Sequence, residues 1–395
     1  MTTARRIAFV SPRFSPEGTV GGAETLLKAL AEQAAAAGRD ITFLTTCAKD
    51  HFTWNNVREP GTETVNGMTV HYFPVDESRD IEVFLKHQNR IDRRIPLSRE
   101  EEEAWVDNSV NSPALYDHLR TYGDRYDRIL VGPYLFGITL KVARIHPEKT
   151  WLVPCLHDEP FAYLAVIQDL FEQVGGFIFN TRPEQALAER LYRQPSAKGT
   201  VVGIGLEPFE ADASAFARKH SITTPYVLYA GRRETLKGTP LLTQYVQVFR
   251  ERTGREITLV FTGSGDIDAP DALRPHMLDV GFVSEQEKHE AMAGATAFIH
   301  PSVNESLGIV LLEAWLARTP VLVHAAGHVL TDQCRRSGGG LWFRVYPEFE
   351  EMLSYLLDHP DIAARMGDAG RDFVLREYTW DAVLRRLFQA IDTTP

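Results

Sequence analysis

Short, almost continuously apolar runs alternate with helical patterns along most of this 395-residue sequence. Such runs are typical of parallel strands that helices cover on both faces of a sheet. The first half contains predicted strands at Ile7–Val10, Ile41–Thr45, Arg128–Val131, Thr150–Pro154, Phe177–Asn180 and Thr200–Gly203. The second half contains them at Tyr226–Ala230, Ile257–Thr262, Leu278–Gly281, Ala297–His300, Val321–His324 and Leu341–Phe343. The sequence therefore predicts an α/β fold with two Rossmann-like, doubly wound domains in tandem.

Three local patterns refine this prediction. Thr25–Ala37 is rich in Ala and Leu and is followed by Gly38, which predicts a helix that ends at a glycine. Asn66-Gly67 between two apolar runs predicts a β-hairpin. The stretch Asp76–Tyr122 has the least regular pattern, and we expect a long irregular segment there. The join between the two domains is expected near Gly205–Pro225.

Charge and cysteine content exclude several classes of protein. The formal net charge is −11, and neither half is basic, so a nucleic-acid partner is not expected. Cys47, Cys155 and Cys334 lie far apart and lack CxxC spacing, which favours buried free thiols in a reducing cytosol over disulfides or a zinc ribbon. Because the sequence shows no signal peptide and no long apolar stretch, we expect a soluble cytoplasmic protein.

The loop after the first predicted strand ends in Gly21-Gly22 at the start of a helix. The loop is not a GxGxxG dinucleotide fingerprint. Two glycines at a helix N-terminus allow a ligand to reach backbone N–H groups at the positive end of the helix dipole. The alternative interpretation is a plain flexible turn.

The loop after the strand Tyr226–Ala230 begins with Gly231 and carries Arg232 and Lys237. Ligands of doubly wound folds bind at this carboxyl edge of the sheet. An arginine offers a planar fork of donors and a lysine offers a compact positive charge, and both suit a diphosphate. The alternative is a solvated basic loop.

A third loop follows the strand that ends at His300, and it leads into an apolar helix that starts near Gly308. Ser306, Leu307 and Gly308 would present backbone N–H groups to an anion at that helix start. Glu305 lies in the loop, and Glu313 lies one and a half turns into the helix. A buried carboxylate there needs a partner, which either ribose hydroxyls or a structural salt bridge would supply.

The spacing Glu305-x7-Glu313 resembles the signature of retaining GT-B glycosyltransferases of the family 4 type. Gly231-Arg232 with Lys237-Gly238 looks like the phosphate-binding pair of that family, and Gly21-Gly22 matches its first-loop glycines. The segment Val202–Glu207 resembles its inter-domain motif, although the usual Asn-Gly-Val-Asp is absent. Gly339-Gly340-Leu341 and Tyr378-Thr379-Trp380 are similar to late landmarks of the family.

The resemblance implies GT-B architecture, in which two Rossmann-like domains face a central cleft. Residues 1–207, completed by a C-terminal helix at about 379–395, would form the acceptor domain, and residues 208–378 the nucleotide-sugar donor domain. The implied reaction moves a hexose from a UDP- or GDP-linked sugar to an acceptor hydroxyl with retention of configuration. Such a reaction would serve the biosynthesis of a glycan, a glycolipid or a small glycoside.

The implied catalytic residues are His157, Arg232, Lys237 and Glu305. A histidine just past the carboxyl end of a strand is a reasonable site residue on chemical grounds, with a capping or core role as the alternative. The donor is expected to contact several of these side chains and the loops around them, namely Gly21, Gly22, Arg232, Lys237, Gly263, Phe282, Val283, Glu305, Ser306, Leu307, Gly308 and Glu313.

No cofactor or metal is expected. Asp266-Ile267-Asp268 reads as a DxD metal triplet, but its neighbours predict an exposed acidic turn. The partners implied are a nucleotide sugar and a carbohydrate, small-molecule or lipid-linked acceptor. The basic stretch Lys86–Leu97 allows at most weak, peripheral membrane contact, because Glu100–Glu103 follows it. The alternatives are another GT-B enzyme, such as a phosphorylase or sugar-nucleotide epimerase, and a non-catalytic sugar-binding protein.

Overall fold

The computed structural model describes residues 5–16, 21–192 and 198–393 of the protein. Contacts within the chain divide it into two compact units. The first unit comprises Met1–Gly205 and Val383–Pro395, and the second comprises Leu206–Ala382. Each unit contains one open sheet with helices packed against it, so the prediction of an α/β chain with two doubly wound sheets is confirmed.

In the part of the first unit that the structure describes, eight strands form one sheet. The strands pair in parallel except for a hairpin at one edge. In spatial order they are β3 (Gly61–Val65), β4 (Met68–Phe73), β2 (Asp40–Thr46), β1 (Arg6–Val10), β5 (Arg128–Val131), β6 (Thr150–Leu152), β7 (Gly176–Phe179) and β8 (Gly199–Val201). The predicted hairpin is present, and Asn66 and Gly67 both adopt the positive φ angles that a tight two-residue turn requires.

The helices of the first unit cover the sheet and bury its central strands. The predicted helix begins three residues earlier than expected, at Gly22, because the glycine pair forms its N-terminus. The other helices of this unit follow in chain order after α1 (Gly22–Ala36): α2 (Ile81–Asp92), α3 (Arg99–Asp107), α4 (Pro113–Tyr122), α5 (Gly137–Ala143), α6 (Ala165–Gln173) and α7 (Arg182–Tyr192).

The prediction of an irregular segment at Asp76–Tyr122 is wrong, because α2, α3 and α4 occupy most of it. Capping groups explain why these short helices form. The Asp80 carboxylate accepts a hydrogen bond from the first turn of α2, and Ser98 and Glu101 form a capping box on α3. Glu100, Glu101 and Glu102 of the acidic run lie in the first turn of α3, where the helix dipole favours negative charge.

In the second unit, the described strands form a six-stranded parallel sheet. Its spatial order is β11 (Met277–Asp279), β10 (Thr258–Thr262), β9 (Tyr226–Ala230), β12 (Ala297–His300), β13 (Val321–His324) and β14 (Gly340–Phe343). The strand order reverses between β9 and β12, so the chain leaves these two neighbouring strands in opposite directions across the sheet. All the predicted strands of both units are present, with ends shifted by no more than two residues.

The second unit's helices lie between these strands, and its core is built from the apolar faces of the central strands and the helices over them. The helices are α8 (Ala215–Lys219), α9 (Thr239–Thr253), α10 (Glu285–Ala293), α11 (Ile309–Leu316), α12 (His328–Ser337), α13 (Tyr346–Asp358) and α14 (Pro360–Glu377), followed by α15 (Trp380–Thr393), whose residues from Val383 belong to the first unit. Arg5 and Arg39 of the first unit bind Asp392 near its end. None of the helices in the described ranges is long and apolar enough to span a bilayer.

Candidate functional site

The most distinctive polar cluster of the second unit lies where the strand order reverses. The loops after β9 and β12 leave adjacent strands at their carboxyl ends and turn away from each other. In doubly wound sheets this divergence opens a crevice in which ligands bind. The first loop carries Arg232 and Lys237, and the second carries Glu305 and leads into α11.

The two arginines after β9 have different surroundings. Arg233 is buried, its Nη1 donates to Asp279 Oδ1 at 3.0 Å, and its Nε donates to the Gly265 carbonyl at 2.7 Å. The side chain of Arg232 is 59% exposed and lies 3.7 Å from Glu234 Oε1. Arg233 therefore ties neighbouring loops together, whereas the guanidinium of Arg232 is accessible to a ligand.

Lys237, His300 and Glu305 form one hydrogen-bonded cluster across the two loops. Lys237 Nζ donates to Glu305 Oε1 at 2.7 Å, and His300 Nε2 lies 3.1 Å from the same oxygen. Burial alone would raise the pKa of Glu305, but the hydrogen bonds and positive charge of His300 and Lys237 hold it well below its usual range. Glu305 is therefore a carboxylate at physiological pH. Its hydrogen bond holds Lys237 at the switch point, the place between β9 and β12 where the strand order of the sheet reverses.

The N-terminus of α11 follows Glu305 after a short turn of three residues, Ser306, Leu307 and Gly308. Gly308 adopts φ +75°, a conformation that costs little only for glycine, and the first helical residue follows it. The Leu307 carbonyl accepts a hydrogen bond from Gln333 Nε2 at 2.7 Å, which fixes the approach to the helix. The first N–H groups of a helix have no partner within it, so Ser306, Leu307 and Gly308 lead into a site suited to an anion.

Glu313 lies on α11 and pairs with Lys288 of α10. Lys288 Nζ donates to Glu313 Oε1 at 3.1 Å and lies 3.0 Å from Oε2. The geometry at Oε2 does not make a hydrogen bond, so this buried oxygen keeps a vacant acceptor position within the described part of the chain. Burial raises the pKa of Glu313, and the charge of Lys288 opposes that shift.

The remaining predicted donor contacts lie in the neighbouring loops. Gly263 follows β10 and adopts φ +114°, and a Cβ there would lie 2.2 Å from the Gly231 carbonyl, so this position brings two loops into close contact. Phe282 is 84% exposed, and Val283 next to it is half-buried. Asp266 and Asp268 are both exposed in the loop after β10, as the sequence predicts.

In the first unit, Gly21 and Gly22 form the start of α1 after β1. A buried ion pair lies beside them, in which Arg13 Nε donates to Glu24 Oε1 at 2.9 Å. A Cβ on Gly21 would lie 2.3 Å from Glu24 Oε2, whereas one on Gly22 would have nothing within 4 Å. Gly21 is thus required by the ion pair, and Gly22 leaves the helix start open.

His157 lies in the loop after β6, with its side chain 30% exposed. Its Nδ1 is 3.9 Å from Glu159 Oε1, and that carboxylate accepts a 2.7 Å hydrogen bond from Tyr134. Next to it, Asp158 accepts hydrogen bonds from Tyr163 and Arg190. The predicted histidine is therefore a partly exposed group in a loop that several hydrogen bonds hold in place.

Glu184, which the sequence analysis did not select, anchors the loop that carries His157. Glu184 is buried, and its two oxygens accept the N–H groups of Leu156 at 2.7 Å and Asn180 at 2.5 Å. Burial raises the pKa of Glu184 to about 8, while the backbone hydrogen bonds oppose that shift. Cys155, two residues before His157, has φ +51°, so Glu184 stabilises a loop whose backbone is strained.

Three functional candidates were thus missed from the sequence: His300, Lys288 and Glu184. His300 ends an otherwise apolar strand, which was the signal available for it. Glu184 follows Thr181 at capping-box spacing, but that pattern predicts only a helix start. Nothing in the sequence indicates that Lys288, on a different helix, faces Glu313.

The chain is similar to known proteins in sequence and in fold. Residues 212–373 match the sequence model of the family described as Glycosyl transferases group 1. An uncharacterised glycosyltransferase of Methanocaldococcus jannaschii is 28% identical in an alignment of 216 residues that covers 49% of this chain and 54% of that protein. The chain thus spans about half the length of that relative. A D-inositol 3-phosphate glycosyltransferase of Stackebrandtia nassauensis is 24% identical over 95% of this chain and 88% of that protein.

Two solved structures are similar over nearly the whole chain. A sucrose-phosphate synthase of Thermosynechococcus elongatus matches with a TM-score of 0.73 and 18% identity, covering 98% of each chain. Anabaena HepE, in complex with UDP and glucose, matches with a TM-score of 0.68 and 14% identity, covering 98% of this chain and all of the other. At this identity the likeness shows a common fold.

Proposed function

We propose that this chain, which has the GT-B fold and whose residues 212–373 match the model of Glycosyl transferases group 1, is a glycosyltransferase that moves a hexose from a UDP- or GDP-linked sugar to an acceptor hydroxyl with retention of configuration. The observation that carries the proposal is the cluster of Lys237 and Glu305, 2.7 Å apart at the point where the strand order of the second sheet reverses. Loops at this point receive the phosphates of nucleotides in doubly wound folds.

Lys237, Arg232 and the N-terminus of α11 supply the positive potential for the diphosphate. During transfer the bond between the anomeric carbon and the diphosphate breaks, and its electrons go to the diphosphate oxygen. Preorganised donors aimed at that oxygen stabilise the charge as it develops. The acceptor oxygen bonds to the same face of the anomeric carbon, and its proton goes to the departing diphosphate. We propose that this set of groups neutralises the diphosphate without a metal ion.

Two carboxylates would bind hydroxyl groups of the donor. The vacant Oε2 of Glu313 suits a ribose hydroxyl, since Lys288 leaves it without a hydrogen bond within the described residues. Glu305 stays ionised and would accept hydrogen bonds from the hexose while it holds Lys237 in place. The donor contacts at Gly263, Phe282 and Val283 belong to the same proposal.

The first unit would bind the acceptor, a carbohydrate, small-molecule or lipid-linked alcohol, with His157 among its polar groups. The anomeric configuration and the family 4 type are further parts of the proposal, supported by the Glu305 and Glu313 spacing. We also place the reaction in the cytoplasm, because Cys47 and Cys334 are buried free thiols of the kind that a reducing compartment maintains.

The test is turnover with a panel of UDP- and GDP-sugars, followed as nucleotide release in the presence of a mixture of sugar and lipid acceptors. The expected result is acceptor-stimulated release with one donor that persists in EDTA. Lys237→Met should lower that release by about 100-fold or more. The control is Arg255→Met, which removes an ion pair with Asp358 and should leave the release unchanged.

Release that needs inorganic phosphate instead of an acceptor would contradict the proposal and favour a phosphorylase. Interconversion of the donor sugar without nucleotide release would favour an epimerase. Binding of sugars with no turnover of any nucleotide sugar would favour a non-catalytic binding protein.

A further inference from the structure

The first unit contains a cavity of about 320 Å³ that the donor chemistry does not use. It lies between the end of α2, the connection from α2 to α3, and the short 3-10 helix Pro160–Tyr163. Its walls are largely apolar and include Ile91, Ile95, Leu97, Pro160, Tyr163 and Leu164. A concave, mostly apolar site of this size with a few polar groups is typical of small-molecule binding.

One of the polar groups is Glu102, a buried side chain of α3 that lines this apolar cavity. Its Oε2 accepts the backbone N–H of Val166 at 2.9 Å, at the start of α6. A carboxylate facing an apolar cavity is best satisfied by a hydrogen-bond donor and repels an anion. The group of a ligand that reaches Glu102 should therefore be a hydrogen-bond donor, such as a hydroxyl.

The other polar group is Arg94, which follows α2 and also lines the cavity. Its backbone adopts φ +57° and its N–H binds the Ile91 carbonyl at 2.8 Å. In the described part of the chain its guanidinium makes no ion pair, whereas the nearby Arg90 and Arg99 are paired with carboxylates. Arg94 is thus a cation available to an anionic group of a ligand.

The cavity adjoins the loop that carries His157. Tyr163 forms part of the cavity wall and is 61% exposed, and its hydroxyl donates to Asp158 Oδ1 at 2.6 Å. Arg190 donates to the other oxygen of Asp158 at 2.7 Å. These bonds fix the ring of Tyr163 and connect the cavity wall directly to the residue after His157.

We propose that this cavity binds an apolar group that carries a hydroxyl and a carboxylate, with the hydroxyl at Glu102 and the carboxylate at Arg94. The opposite charges of these two side chains set the orientation. As a statement about the acceptor, this inference rests on the proposed function: the group in the cavity is the apolar part of the acceptor, held beside the His157 loop.

The direct test measures the binding of 4-hydroxycinnamate to the full chain by isothermal titration calorimetry, with no nucleotide sugar present. We expect saturable binding that is weakened about 10-fold or more by Arg94→Ala, a loss of about 1.4 kcal/mol. The matched control is Arg93→Ala, because Arg93 is adjacent, exposed and outside the cavity lining. Leu97→Trp should fill the cavity and abolish binding, with circular dichroism used to confirm that the variant folds.

Binding should also weaken about 10-fold with cinnamate, which lacks the hydroxyl. No saturable binding to the wild type, or equal losses in Arg93→Ala and Arg94→Ala, would overturn the proposal. Nucleotide release from the donor in the absence of acceptor should be the same in the wild type and in the control variant Arg93→Ala. An absence of nucleotide release would contradict the proposed transferase function. The calorimetric binding of 4-hydroxycinnamate tests the cavity proposal separately from that function.

Discussion

Replacement of Glu305 by glutamine tests the ion pair at the switch point. The amide oxygen can still accept from Lys237 and His300, which bind Oε1 at 2.7 and 3.1 Å, but the negative charge is lost. A hydrogen bond to a charged group contributes about 1.5–3 kcal/mol, against about 1 kcal/mol for a neutral one. Since the Lys237 side chain is 27% exposed and water replaces part of the interaction, we expect Glu305→Gln to lower the free energy of unfolding by about 2 kcal/mol.

The pH dependence of this loss follows from the lowered pKa of Glu305. A carboxyl group whose pKa is lower in the folded state stabilises the protein above its unfolded pKa, near 4.5, and that stabilisation is lost as pH falls towards the folded value. The difference between wild type and Glu305→Gln should therefore be complete at pH 7 and smaller by about 1 kcal/mol at pH 4. Urea unfolding at both pH values, followed by circular dichroism, measures it.

Glu234→Gln is the matched control, since Glu234 lies in the loop after β9 and its carboxylate is 3.7 Å from the exposed Arg232. An exposed pair of this kind contributes about 0–1 kcal/mol, so this variant should unfold nearly as the wild type does. Equal stabilities of Glu305→Gln and Glu234→Gln at pH 7, or a difference that does not shrink at pH 4, would refute the account of the ion pair.

Three further predictions concern stability and are all measured as free energies of unfolding in urea. Glu184→Gln should cost about 1–3 kcal/mol, because the amide NH₂ would face the N–H of Leu156 or Asn180; an unchanged free energy would contradict the role of Glu184 in holding the His157 loop. Burial, with the charges of His71 and Arg125, lowers the pKa of His118 to about 4, so stability should fall by about 2 kcal/mol as pH drops from 6.5 to 4, and His118→Gln should flatten that slope. Gly308→Ala should cost about 1–3 kcal/mol because of its positive φ and the Leu330 methyl 2.5 Å from the added Cβ, whereas Gly61→Ala, with nothing within 4 Å, should cost less than about 1 kcal/mol.

The strands and their loops could be predicted from the sequence because parallel strands buried on both faces leave a clear apolar signal. Tyr226–Ala230 and Ala297–His300 were both predicted with the bounds that β9 and β12 have. Since residues at the carboxyl ends of neighbouring parallel strands share one edge, Lys237 and Glu305 could be assigned to one region. The hydrogen bond between Lys237 and Glu305 depends on β9 and β12 being neighbours in the sheet, and this strand order cannot be read from the sequence.

The failures have physical causes too. α2, α3 and α4 are short and highly charged, so their apolar periodicity is weak, and their formation depends on caps such as Asp80 and Ser98. The burial of Arg233 rather than Arg232 has no signal in the sequence either, because the two residues are adjacent and chemically identical and the groups that bind Arg233, Asp279 and the Gly265 carbonyl, lie elsewhere in the chain. Lys288 and Glu313 meet because two helices pack together, and no local pattern contains that information.

We propose that the second unit binds the diphosphate of a nucleotide sugar at the switch point beside Lys237 and α11. The most direct measurement is isothermal titration calorimetry with UDP, UMP, GDP and GMP in EDTA, on the wild type and on Lys237→Met. We predict that one diphosphate binds the wild type at least about 10-fold more tightly than its monophosphate, and that Lys237→Met removes most of this difference. Equal affinities for diphosphate and monophosphate, or a preference that Lys237→Met leaves intact, would contradict the account.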